Sequence, residues 1–281
     1  MNRLQRHKEN FSSLLFILPS LAGVALFYFI PFVMSFGHAT RDRNGAFVGL
    51  QNFARLFASD AFRLATVNTL RFMAVAIPIN MALPVFIACL MFNLPGTKWL
   101  KAVFMSPLVI PTAGTAFFFQ SLFTNNGLLS RLLGTGTNWL ETDHAFAIAV
   151  ALYVWKNLGF NLVLALAARA NIPKDYYEWS AVEGMGRLRM FFKITLVYLV
   201  PGLFIMFVMS FINSFRVYRE LYMLAGSHPH QSIYMLQHYM NNQFMWLNYQ
   251  NLTTSAFVIT LAVSLFMVLF FVVDKRFEFG E

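Results

Sequence analysis

Charge is scarce in this chain. Only 12% of its 281 residues are Asp, Glu, Lys or Arg, against roughly 25% in an ordinary soluble domain. So little charge cannot clothe a water-soluble surface. There is one cysteine, Cys89, and it sits inside an apolar run, which excludes a disulfide scaffold and a paired-Cys metal site. No G-x-x-x-x-G-K-[ST] is present, so the chain has no P-loop for ATP. The absence of H-E-x-x-H leaves no metal motif. No carboxylate lies within an apolar run, which removes the usual mark of a proton- or sodium-coupled carrier. No clustered nucleophile, base or metal set supports an intramembrane enzyme. Internal repeats and low-complexity stretches are also missing.

Apolar residues make up 58% of the chain, and 33 residues are Phe. An aromatic content this high excludes disorder. The expectation is an all-α, polytopic integral membrane protein. The net charge is +9. Its basic residues are dispersed rather than gathered in a block, so they speak for a membrane topology signal and not for nucleic acid.

About 20 apolar residues cross a bilayer as a helix. Intervals poor in charge predict six spans, at residues 11–36, 64–92, 101–123, 145–169, 195–215 and 252–273, the fourth interrupted by Lys156. Arg3, Arg6 and Lys8 before the first span resemble the n-region of a signal peptide. Its apolar stretch is too long for one, so it reads as an uncleaved span.

With the N-terminus inside, the cytoplasmic segments hold Arg3, Arg6, Lys8, Lys98, Lys101, Arg169, Lys174, Arg187, Arg189, Lys193, Lys275 and Arg276. The outer segments hold Arg41, Arg43, Arg55, Arg63, Arg131, Arg216 and Arg219. The balance is 12 to 7 and favours both termini in the cytoplasm.

Leu50, Phe53, Leu56 and Phe57 have helical spacing and predict a short interfacial helix on the outer face. Residues 124–143 read as an outer loop. Residues 216–251 read as a polar outer segment with a short helix near Tyr234–Met240.

Residues 174–190 form the most distinctive polar stretch. Pro173 suits a first helical turn, and Tyr177, Ala181, Val182 and Met185 fall on one face. Gly184 and Gly186 then end the helix or admit a close backbone. A cytoplasmic amphipathic helix needs a cover for its apolar face, either lipid or protein.

Polar groups within spans are candidates for function. Asn80, Lys156, Asn157, Asn161 and Asn213 are of this kind, with Asn157 and Asn161 sharing a face. They could line a polar path for a hydroxylated solute, or serve as hydrogen-bonding glue between helices. With no carboxylate in any span, Lys156 would find its partner in another subunit or in the solute. Pro19, Pro31, Pro78, Pro84, Pro107, Pro111 and Pro201 are expected to kink the spans.

The run Tyr177-Glu178-Trp179-Ser180-Ala181-Val182-Glu183-Gly184, followed by Ile194-Thr195-Leu196-Val197, resembles a motif of bacterial ATP-binding-cassette importer permeases. That motif is E-A-A-x-x-x-G followed by I-x-L-P, and the branch is the carbohydrate-uptake one of the maltose and glycerol-phosphate systems. Glu178, Gly184, Ile194 and Leu196 match; Trp179, Ser180, Glu183 and Val197 depart. Further similar stretches are Phe47–Phe53, Asn68-Thr69, Asn126–Leu129, Val154–Asn161 and Leu224–Pro229, in the family's order.

The resemblance implies a single permease domain over residues 1–281, in the bacterial inner membrane, with no catalysis of its own. It implies that residues 174–190 form a coupling helix seated on an ATPase subunit. Its contact residues would be Tyr177, Glu178, Ala181, Val182, Glu183, Gly184 and Met185. The implied partners are a second permease, two P-loop ATPase subunits using ATP and magnesium, and an extracytoplasmic solute-binding protein. No cofactor or metal is implied for the chain itself. The solute would be a sugar or oligosaccharide. The rival reading is an ATP-independent secondary transporter or channel.

Overall fold

The computed structural model describes residues 16–91, 96 and 98–278. The expected start of the first span at residues 11–15, the end of the second at Phe92, and the N-terminal Arg3, Arg6 and Lys8 lie outside them. Among the described residues the chain is helical with no β-strand, apart from one isolated antiparallel bridge between Arg41 and Phe47.

Five helical runs are long and apolar enough to cross a bilayer: Phe16–Ala39, Asp60–Met91, Ala145–Ala170, Arg187–Ala225 and Tyr249–Val272. The third expected span, 101–123, is not a single rod. It is two helices, Trp99–Val109 and Thr112–Leu133, bent by 98°. The cause is local: a proline disfavours helical geometry in the residue before it, and Pro111 itself is extended, with ψ 152°. The fifth span is longer than the sequence suggested. Helix continues through Arg216 to Ala225, so part of the expected outer polar segment is a continuation of the span.

The chain forms two compact units, Met1–Phe62 with Met240–Glu281, and Arg63–Tyr239. In the first unit, α1 (Phe16–Ala39) packs along the last span, and Phe257 stacks on Phe32 at 4.9 Å and meets Phe36 at 5.0 Å. The expected outer helix is α2 (Gln51–Ala58). Asn52 within it is buried and donates from Nδ2 to the carbonyls of Ala39 and Arg41 at 2.9 and 2.8 Å, which fixes α2 to the end of α1.

The second unit holds α3 (Asp60–Met91, from Arg63 onward), α4 (Lys98–Val109), α5 (Thr112–Phe123), α6 (Leu128–Leu133) and α7 (Ala145–Ala170). It continues with α8 (Lys174–Val182), α9 (Arg187–Met190), a π turn at Phe191–Thr195, α10 (Leu196–Arg216) and α11 (Tyr218–Ala225). One apolar core gathers Phe72, Phe119, Leu152, Tyr153, Leu221 and Ile233; another gathers Val85, Met91, Leu162, Leu199 and Met206.

Small residues let these helices close on each other, as membrane helices require. A Cβ on Gly159 would lie 2.2 Å from the Phe104 carbonyl oxygen, so α4 and α7 touch backbone to backbone. Arg71 lies within α3 and stacks its guanidinium 4.4 Å over the Phe146 ring.

Candidate functional site

Two features stand out in the second unit. The first is α8 and its flanks. Pro173 precedes the helix with extended ψ 138°, and Asp175 stands in the first turn, where a negative charge suits the helix dipole. Gly184 ends it in the left-handed region at φ +67°. Met185 N–H donates to the Ser180 carbonyl at 2.9 Å and Gly184 N–H to the Ala181 carbonyl at 3.1 Å. This pair of bonds is a Schellman termination, which a glycine makes without strain.

The inner face of α8 is set by Tyr177 and Ser180, not by the face expected from spacing. Tyr177 is half-buried. Its hydroxyl shares a 3.1 Å hydrogen bond with Thr195 Oγ1, and its ring lies 5.6 Å from the Arg169 guanidinium. Ser180 is buried and donates to the Tyr177 carbonyl at 2.8 Å and to Met190 Sδ at 3.3 Å. The expected contact residues therefore divide. Tyr177 faces its own unit and Met185 is partly covered, whereas Glu178, Ala181, Val182, Glu183 and Gly184 are exposed. Val182 is 87% exposed, and Trp179 and Leu188 stand out beside it. The period drawn through Tyr177 does not single out the exposed Trp179 of α8 or Leu188 of α9. The inward Ser180, a small polar residue three positions from an aromatic, carried the cue to the true face.

The second feature is a polar seam between α3, α7 and α10. Asn80 and Asn161 are 0% and 1% exposed. Both amides donate to Ser210 Oγ, at 2.9 and 3.0 Å, and Asn161 Nδ2 also reaches the Asn80 carbonyl at 2.8 Å. Tyr153 OH donates to the Ser210 carbonyl at 2.6 Å. These two Asn residues join three helices, in keeping with buried interhelical glue.

One turn away the seam opens. Asn213 Nδ2 donates to Asn157 Oδ1 at 2.9 Å, and Asn157 Nδ2 to the Tyr153 carbonyl at 2.8 Å. Both line a cavity of about 170 Å³, together with Thr112, Lys156, Arg216, Arg219 and Glu220. Lys156 forms an ion pair with Glu220, whose Oε1 also accepts from Thr112 Oγ1 at 3.1 Å. This corrects the expectation for Lys156, since its partner is a carboxylate of the same chain. Glu220 was missed because the fifth span was ended at residue 215. The run-on of helix into α11 places that carboxylate about two turns beyond Asn213, on the same cavity and within reach of Lys156 on α7.

Among the described residues no group of three His, Cys, Asp or Glu side chains could hold a metal ion.

Known proteins share this architecture. The chain is 30% identical over 236 residues to the trehalose/maltose transport system permease protein MalF of Thermococcus litoralis, covering 80% of each chain. It is 29% identical over 206 residues to the sn-glycerol-3-phosphate transport system permease protein UgpA of Salmonella typhimurium, covering 71% of this chain and 68% of the relative. Its fold matches a chain of a bacterial ABC transporter involved in the import of the acidic polysaccharide alginate. The TM-score is 0.79 at 21% identity, covering 98% of this chain and 99% of that one. Residues 2–280 match the family described as "Binding-protein-dependent transport system inner membrane component", and the chain belongs to that family.

Proposed function

We propose that the chain is one of two permease subunits of an ATP-driven importer, and that it forms half of the path for a sugar or oligosaccharide. The carrying observation is α8. A short helix, fixed on its inner face and capped at Gly184, presents Trp179, Ala181 and Val182 outward, and Leu188 in α9 is exposed as well. Exposed apolar groups on a polar segment need a cover, and an ATPase subunit would supply it. ATP-driven closure of two ATPases would then move α8 as a solid handle and rock the spans between inward-open and outward-open states.

The rest of the reading follows from the topology. The bent pair counts as one crossing, giving six spans, and the Lys and Arg bias puts both termini and α8 in the cytoplasm. The outer segments, including α2, would receive an extracytoplasmic binding protein. Lys156, Asn157 and Asn213 would line the path, with Asn80 and Asn161 holding its walls. The chain itself would hold no metal or cofactor and perform no catalysis. ATP and magnesium would belong to the partner ATPases. Relatives named for trehalose, maltose and glycerol phosphate support a carbohydrate-type solute.

The test is co-purification from native membranes, comparing wild type with Gly184→Asp. At φ +67° a side chain is strained, so the variant should shed the ATPase while a second permease stays. A wild-type chain that purifies alone and still moves solute would overturn the reading in favour of an ATP-independent carrier.

A further inference from the structure

A helix held only by its two ends can swivel about them. At one end of α8 lie three linking residues, Asn171, Ile172 and Pro173; at the other, the glycine turn at Gly184. For motion of α8 to reach the spans, something must grip the helix between those ends. Three side chains grip it: the Tyr176 ring lies 5.1 Å from that of Tyr198, Ser180 bonds to Met190 Sδ, and Tyr177, near the middle of the inner face, makes two contacts. Its hydroxyl meets Thr195, the last residue of the π turn that starts the fifth span. Its ring meets Arg169, in the last turn of the fourth.

Arg169 is unusual in its own right. It is 8% exposed, although Arg is almost never buried unless paired. Its Nη1 donates to Cys89 Sγ at 3.0 Å, on the second span. One guanidinium thus touches the second span, belongs to the fourth, and lies over the ring of α8. A guanidinium is planar and rigid, so it passes displacement between its contacts better than a flexible ammonium.

We propose that Arg169 is the positioning residue that transmits motion of α8 to the spans, by clamping Tyr177 against the second and fourth spans while Thr195 ties it to the fifth. The inference rests on α8 being the ATPase handle. Arg169 touches neither solute nor ATP.

The test uses the complete assembly, wild type against Arg169→Met, which keeps length and apolar packing. Hydrogen–deuterium exchange is followed with and without ATP, so the solute need not be known. In the wild type, ATP should change protection both in residues 174–186 and in residues 83–91 and 160–170. In Arg169→Met, the change in 174–186 should persist with the ATPase bound in wild-type amount, while the change in 83–91 and 160–170 falls about tenfold. That factor corresponds to about 1.4 kcal/mol, within reach of a desolvated cation–π contact.

Arg169→Lys should recover part of the response, because a cation returns over the ring. An unchanged response in 83–91 and 160–170 would overturn the proposal, as would loss of the ATPase from Arg169→Met. Should Arg169→Met fail to enter the membrane, Tyr177→Leu decides by the same two readouts. If wild type itself brings down no ATPase, the importer reading fails and not this clamp alone.

Discussion

Lys156 and Glu220, sixty-four positions apart, meet as an ion pair on the wall of a polar cavity, with Thr112 as a third member. The pair joins the fourth span, the fifth and the helix after the break in the third. Both side chains are largely withdrawn from solvent, at 18% and 7% exposure. Removing one partner of such a pair strands a charge, whereas removing both does not.

Lys156→Met and Glu220→Gln should therefore each cost about 3 kcal/mol of stability. The double variant Lys156→Met with Glu220→Leu should recover most of it. Heating the detergent-purified protein and following the folded fraction by size exclusion checks this. Equal losses in the double and single variants would count against the pair.

Gly159 is set by contact rather than by turn geometry. Its neighbours are backbone atoms, Phe104 O and Met105 Cα at 2.2 and 2.7 Å from an added Cβ, and they cannot swing aside. Gly159→Ala should cost about 2 kcal/mol through overpacking. Gly23 has nothing within 4 Å, so Gly23→Ala should cost nothing. The same thermal assay compares the two.

His238 gives the protein an acid sensitivity outside its spans. It lies in α12 (Leu236–Met245), fully buried. Burial chiefly, and then the charge of His228, pushes its pKa down to about 4. Met235 N–H donates to Nδ1 at 3.2 Å, and the rings of Tyr218 and Tyr234 pack against it. A folded-state pKa below the unfolded value near 6.5 means the unfolded chain binds more protons between the two. The stability this neutral ring contributes is complete above about 6.5 and is lost as pH falls toward 4, by roughly 3 kcal/mol. His238→Gln should flatten that part of a stability–pH curve measured by chemical unfolding.

Asn68 and Thr69 pin the segment leading into α12. Asn68 Nδ2 donates to the carbonyls of Gln231 and Tyr234, and Leu236 N–H donates to Thr69 Oγ1 at 3.0 Å. Asn68→Ala leaves two carbonyls without their donor and should raise amide exchange in residues 230–238 by roughly tenfold, for about 1.5 kcal/mol of lost local stability. Exchange that stays at the wild-type rate would deny Asn68 this role.

Long apolar runs poor in charge are visible to any count, which is why four long apolar helices fall within a few residues of their expected bounds at the termini that are described. Direction is not visible. The run 101–123 has the length of one crossing, yet Pro111 turns it through 98°, and only steric geometry before proline hints at that. Helix beyond residue 215 was hidden by Arg216, Arg219 and Glu220, whose charges imitate an end. The face of α8 was misdrawn because Tyr177 and Val182 look equally apolar. What separates them is the company of Arg169 and Thr195, which the chain brings to Tyr177 by folding back on either side of α8. The dipeptide Asn68-Thr69 was noticed as a pattern, but its role as a strap for residues 231–236 needs the fold.

Arg187–Ala225 is one helical run of 39 residues. At about 1.5 Å per residue it reaches about 58 Å, roughly twice the hydrocarbon thickness. Such a rod is a lever. A tilt of about 10° near its π turn would sweep Glu220, about 40 Å along the helix, through about 7 Å. Small strokes applied at the α8 end would then arrive at the other end amplified, and they would pull directly on the salt link to Lys156.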